Sequence, residues 1–152
     1  MLRQASISNN RILLNINQGS EEIDAFVDID ENFLMFELKD GEFSMEHAYA
    51  FGARIALYKP DYAIIVSTKS IAPEVKAHFT RVKPEADMVY IDHLDELWSS
   101  LSGVITEVRS QLALQILALF EPMATIELPL SRVLTPKFGI QAKRLSKYRM
   151  SP

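Results

Sequence analysis

With 152 residues the chain has room for one ordinary domain, and its 48% apolar and 24% charged content excludes a disordered or fibrous polypeptide. It has no cysteine, which excludes disulfide frameworks, zinc-thiolate sites and cysteine nucleophiles, and no window supplies the roughly 18 uninterrupted apolar residues of a membrane span. A net charge of −4 argues against a general basic coat, yet residues 131–152 carry six basic side chains and no acid, after ten basic and twenty acidic ones before them. Such a tail is either an electrostatic footprint for a polyanion or a solvated terminus. The opening MLRQASISNN lacks the apolar block of a secretory signal, so a cytoplasmic protein is expected.

The predicted elements follow in chain order. Arg11 to Ile16 is a short apolar strand closed by Gln18-Gly19-Ser20, Ile23 to Ile29 a second, and Phe33 to Lys39 a third, with Asp30-Glu31-Asn32 as turn chemistry between the last two. Ser44 can cap a helix with Ala48, Phe51, Ile55 and Tyr58 on one face, ended by Lys59-Pro60. Tyr62 to Ser67 (YAIIVS) reads as a strand covered on both faces. Pro73 opens a helix to about Thr80, and Met88 to Ile91 is a further buried strand. From Leu94 to Phe120 apolar residues recur at helical spacing, as one helix or as two split at Ser99–Gly103. The order β-β-β-α-β-α-β-α implies an α/β protein, a mixed sheet with helices on its faces. The domain is expected over residues 1–122, with a basic extension over 123–152. A chain that enters a strand almost at once is expected of a fragment of a longer protein.

The informative stretch runs from Glu22 to Lys39. Alternate side chains of a strand share a face, so Glu37 and Lys39 emerge beside Phe33 and Met35 at the end of an otherwise apolar strand, where burying either charge unpaired is costly. If Asp30-Glu31 form the loop, Asp24 lies opposite Glu37; if Glu31-Asn32 do, it lies opposite Lys39. Directly opposed side chains have Cβ atoms about 5 Å apart. Either register gathers Asp24, Glu37 and Lys39, with Glu22 two residues away. Two neighbouring carboxylates call for a cation, and all-oxygen ligation suits Mg²⁺ or Mn²⁺ better than zinc.

The pattern Asp24-(x)₁₂-Glu37-x-Lys39 on a hairpin followed by a helix resembles the PD-(D/E)XK nuclease superfamily, in its restriction-endonuclease-like, Mrr-like branch. The resemblance extends through YAIIVS and VYIDHLDEL to about residue 100. It departs from the family in three places: Ile23 replaces the proline, the helix before the first strand is missing or very short, and His47 and Phe51 stand where RecB-type members carry Gln and Tyr. It implies a restriction-endonuclease-like core and a Mg²⁺-dependent endonuclease, with DNA as substrate. The metal would sit on Asp24, Glu37 and the carbonyl of Leu38, with Glu22 either holding a second ion or remaining a surface carboxylate. Lys39 would orient the water or stabilise transition-state charge.

Other residues have plainer roles. His47, His78 and His93 are dispersed, which argues against a histidine metal site; Trp98 falls at core spacing; Arg54 and Lys59 read as solvated cations. Residues 112–120 are apolar on nearly every side, so Leu94–Phe120 is expected to form a homodimer interface unless residues 123–152 cover it. The competing functions are a non-catalytic interaction module on the same fold, and the effector nuclease of a larger ligand-gated defence protein.

Overall fold

The computed structural model of the protein describes residues 7–18 and 21–120. After a short 3₁₀ turn at Asn9–Arg11 come β1 (Ile12–Gln18), β2 (Glu21–Ile29), β3 (Asn32–Lys39), α1 (Met45–Tyr58), β4 (Tyr62–Ser67), α2 (Pro73–Val82) and β5 (Asp87–Asp92). A second 3₁₀ turn, Leu94–Glu96, leads into α3 (Leu97–Phe120). The strands form one five-stranded sheet in the order β1-β2-β3-β4-β5. The first three pair antiparallel, and β4 and β5 extend the sheet in parallel. Parallel neighbours need a crossover, and α1 and α2 supply the two that are required. This is the mixed α+β architecture that the element order implies. Among the described residues no helix is long and apolar enough to cross a membrane.

Both crossover helices pack on one face of the sheet. Ala48, Phe51 and Ile55 of α1 and Val75 and Phe79 of α2 join Phe26, Met35, Ala63 and Ile65 in a single buried cluster. Their spacing of three and four residues is what aligns them on one stripe. The other face of the same strands, through Val27, Leu34, Phe36, Ile64, Val66 and Ile91, is buried as well. All six residues of β4 are therefore inaccessible, as the unalternated YAIIVS run predicts.

The helix ends follow local chemistry. Ser44 and His47 form a capping box, in which the Ser44 backbone N–H donates to His47 Nδ1 at 3.1 Å. Lys59 and Lys83 take left-handed conformations as C-caps, each directly before a proline. Pro73 occupies the first turn of α2. One open alternative is decided and one expectation changes. The weak helix formers Ser99 to Gly103 do not divide α3, which runs unbroken through them. Trp98, read as a packing residue, is 41% exposed. One compact unit ends at Ile105 and a second begins at Thr106, inside α3. The basic extension over 123–152 lies outside the described residues, as do the side chains of residues 115–120.

Candidate active site

The β2–β3 hairpin decides between the two possible registers. Ile29 pairs with Asn32 and Ala25 with Phe36, so Asp30-Glu31 is the two-residue loop. Both loop residues have positive φ, 50° and 68°, the geometry of a type I′ turn whose twist matches the strands it joins. Side chains substitute for the usual glycine: Asp28 Oδ1 accepts from the Glu31 N–H at 3.2 Å, and the Asn32 amide donates to the Asp30 carbonyl at 3.1 Å. Extending this register one step places Asp24 across from Glu37.

At that step the ladder stops. Asn15 of β1 has a φ of 49°, and neither Asn15 nor Asp24 continues the pairing between Leu14–Ala25 and Ile16–Ile23. Beyond the break, Ile16 and Ile23 pack with the same cluster as Phe26, so the alternation of faces shifts there. The Asp24 carboxylate takes over the role of the missing ladder bond: its Oδ2 accepts from the Leu38 N–H at 2.6 Å.

Glu37 is the centre of the group. Its side chain is 15% exposed, and Arg54 of α1, itself 16% exposed, donates through Nη1 to Glu37 Oε2. Burial pushes the Glu37 carboxyl above its ordinary value; the Arg54 charge opposes that shift, Asp24 adds to it, and Lys39 opposes it more weakly. The structure thus brings Asp24, Glu37 and Lys39 into one electrostatic neighbourhood, together with a fourth member, Arg54. Arg54 is not a solvated cation. It lies three residues after Phe51 and four before Tyr58, on the margin of the stripe that α1 buries. That spacing was the available signal, since an arginine so placed needs a carboxylate to accompany it.

Past Lys39 the chain turns through Gly41, whose φ of 117° favours glycine. Its N–H donates to Thr68 Oγ1 at 2.8 Å, and its carbonyl accepts from the buried Ser67 hydroxyl. These bonds tie the end of β3 to the end of β4. At the far edge of the sheet a second ion pair closes the neighbouring crossover: Lys76 Nζ meets Asp92 Oδ2 at 2.7 Å, while Asp92 Oδ1 accepts from the Ile71 N–H. Burial raises the Tyr90 hydroxyl's pKa, and Lys76 Nζ lies 5.6 Å from that ring's centre.

Other candidates are not drawn in. Glu22 is exposed and pairs along its backbone with Asn17 of β1, and the β2–β3 ladder ends before it can reach Lys39. Among the described residues no three acidic or histidine side chains are grouped to hold a metal, so a second ion on Glu22 has no geometric support. His47 serves the α1 cap, and the His78 ring meets Tyr49 and Phe79 edge-on. Two carboxylates and a main-chain carbonyl remain, and oxygen donors of that kind are what magnesium ordinarily uses, since it is held by one or two carboxylates and keeps several waters.

No family model matches the chain, and no curated protein matches it. Among solved structures it is similar to one described as "Protein of Unknown Function AF1548", at 18% identity and a TM-score of 0.44. That similarity covers 59% of this chain and 52% of the other, so the chain spans about half the length of the protein it matches.

Proposed function

We propose that the protein is a metal-dependent phosphodiesterase of the PD-(D/E)XK type, with a restriction-endonuclease-like core, cutting nucleic acid endonucleolytically and DNA in particular. The observation that carries this is the placement of Asp24 across the hairpin from Glu37, with Lys39 two residues further along the same strand. Asp24, Glu37 and the Leu38 carbonyl would hold Mg²⁺ or Mn²⁺, which when bound supplies Lewis-acid activation of phosphate and water. The protein's own groups do the rest. Asp24 braces the Leu38 backbone through its hydrogen bond, fixing the strand on which Glu37 and Lys39 stand. The Lys39 ammonium, half-exposed at the strand end, is placed to neutralise charge on a phosphate oxygen or to orient the attacking water. In the net reaction water adds to phosphorus and one ester P–O bond breaks, leaving a phosphomonoester and a hydroxyl.

The test is Mg²⁺- or Mn²⁺-dependent cleavage of plasmid and single-stranded DNA by wild type and Lys39→Ala. Loss of cleavage in the variant supports the mechanism; equal rates remove Lys39 from it. A cytoplasmic location and a homodimer through Leu94–Phe120 belong to the same proposal. Light scattering tests the dimer, and a strict monomer at tens of micromolar would oppose it.

One observation favours the non-catalytic alternative. Glu37 already has a cationic partner in Arg54, as it would in a member of the fold that had lost its metal. Absence of Mn²⁺ binding at millimolar concentration in a folded sample would decide for that reading.

A further inference from the structure

Arg54 stands on the one helix that crosses directly from the end of β3. Its neighbours Phe51 and Ile55 are buried, 0% and 4% exposed, so the guanidinium reaches the sheet from a fixed base. The head group meets Glu37 Oε2, and beyond Glu37 lie Asp24 and Lys39. Glu37 is largely shielded from water, the half-buried Asp24 adds a second negative charge beside it, and a single positive group with a rigid fork sits against Glu37. A guanidinium is suited to this because it is always charged and more weakly hydrated than an ammonium. Charges in such surroundings act on one another more strongly than in water. An arginine and a divalent ion on the same carboxylate would therefore repel strongly.

Taking the phosphodiesterase reading as given, we propose that Arg54 is a resident cation of the metal-free site: it balances Asp24 and Glu37, and a divalent ion must displace it from Glu37 to bind. Arg54 is then a positioning residue that sets metal affinity, keeping the carboxylates apart from adventitious ions and in place for the correct one. Its charge, rather than its packing, is what matters.

The experiment is calorimetric titration of the full chain with Mn²⁺, for wild type, Arg54→Ala, Arg54→Gln and Arg54→Lys, with melting temperatures measured with and without the ion. The expected result is binding about ten-fold tighter or more in the Ala and Gln variants, with Lys close to wild type. The Ala and Gln proteins should melt lower without metal and gain more from it than wild type. Gln preserves most of the side-chain volume and a hydrogen-bond donor, and it carries the test if Ala does not fold. Wild-type binding with no tightening in the neutral variants would overturn the proposal alone, leaving Arg54 a structural partner of Glu37. No Mn²⁺ binding by any folded variant would overturn the phosphodiesterase reading and this proposal together.

Discussion

Glu37 at the end of β3 and Asp92 at the end of β5 are both carboxylates paired with a cation from a crossover helix, but their settings differ. Asp92 and its partner Lys76 are 30% and 43% exposed, and both Asp92 oxygens have donors, Lys76 Nζ and the Ile71 N–H. Glu37 and Arg54 are 15% and 16% exposed, and a second carboxylate, Asp24, presses on the same pair. The outer pair is a latch that holds the loop after β4 to the sheet edge. The inner pair holds charge that burial opposes, at the place where a gap in the ladder leaves another acid beside it. A carboxylate that is paired, satisfied and accessible serves the fold. One that remains opposed by burial despite its partner is where chemistry is to be sought.

The two pairs should differ most in activity. Replacing Asp24 by Asn, Glu37 by Gln or Lys39 by Ala should each reduce metal-dependent DNA cleavage by about 100-fold or more, the usual cost of removing one electrostatic stabiliser. Lys76→Ala, at the outer pair, should leave the rate within about two-fold, consistent with a surface pair's small energetic weight. Steady-state cleavage assays on folded variants check both.

A smaller effect concerns stability. Arg54→Ala removes the partner of a largely buried carboxylate and should cost about 2 kcal/mol in denaturant unfolding, below the 3–5 kcal/mol of a fully buried pair because some solvent reaches this one. Lys76→Ala should cost about 0.5 kcal/mol, since exposed pairs contribute little. Equal losses at the two sites would erase the distinction between them.

The pH dependence sharpens the same contrast. Burial raises the folded-state pKa of Glu37 above its ordinary 4.5, so over that interval the folded protein retains a proton the unfolded chain has lost. The Glu37 contribution to stability therefore falls as pH rises from about 4.5 through the raised folded value, and is level above it. Glu37→Gln should abolish that slope, and Asp92→Asn should leave it in place. Unfolding curves at a series of pH values measure it. A local effect is expected at the turn out of β3. Gly41→Ala should cost about 1 kcal/mol from the φ of 117° alone, because no atom lies within 4 Å of where the added carbon would sit.

Much of this was legible in the sequence because it is carried by short-range patterns. YAIIVS, the Ser44 cap, Pro73 and the Lys59-Pro60 stop each fix an element through its own residues, and every strand of the sheet falls where its apolar run does. The sequence allows two hairpin registers because both Asp30-Glu31 and Glu31-Asn32 are turn formers. What selects the first is a set of side-chain bonds from Asp28 and Asn32 that composition does not display. The break at Asn15 and Asp24 is hidden for the same reason, since nothing in the apolar pattern around LNI or EEIDAF marks a departure from ladder pairing. Arg54 looks solvated from sequence because its carboxylate partner lies 17 residues away across a helix start. Its position beside the buried stripe of α1 was visible, but the strand end it would meet depends on how α1 docks on the sheet. Tertiary packing, rather than local propensity, places the fourth charge of the site.

Anomalous diffraction from Mn²⁺-soaked crystals of the full chain shows whether Asp24 and Glu37 hold a metal that Arg54 must yield to. The expected result is a single peak within about 2.0–2.3 Å of an oxygen of both Asp24 and Glu37, with the Arg54 guanidinium withdrawn from Glu37. A well-ordered site with no peak, and Arg54 still paired with Glu37, would contradict it.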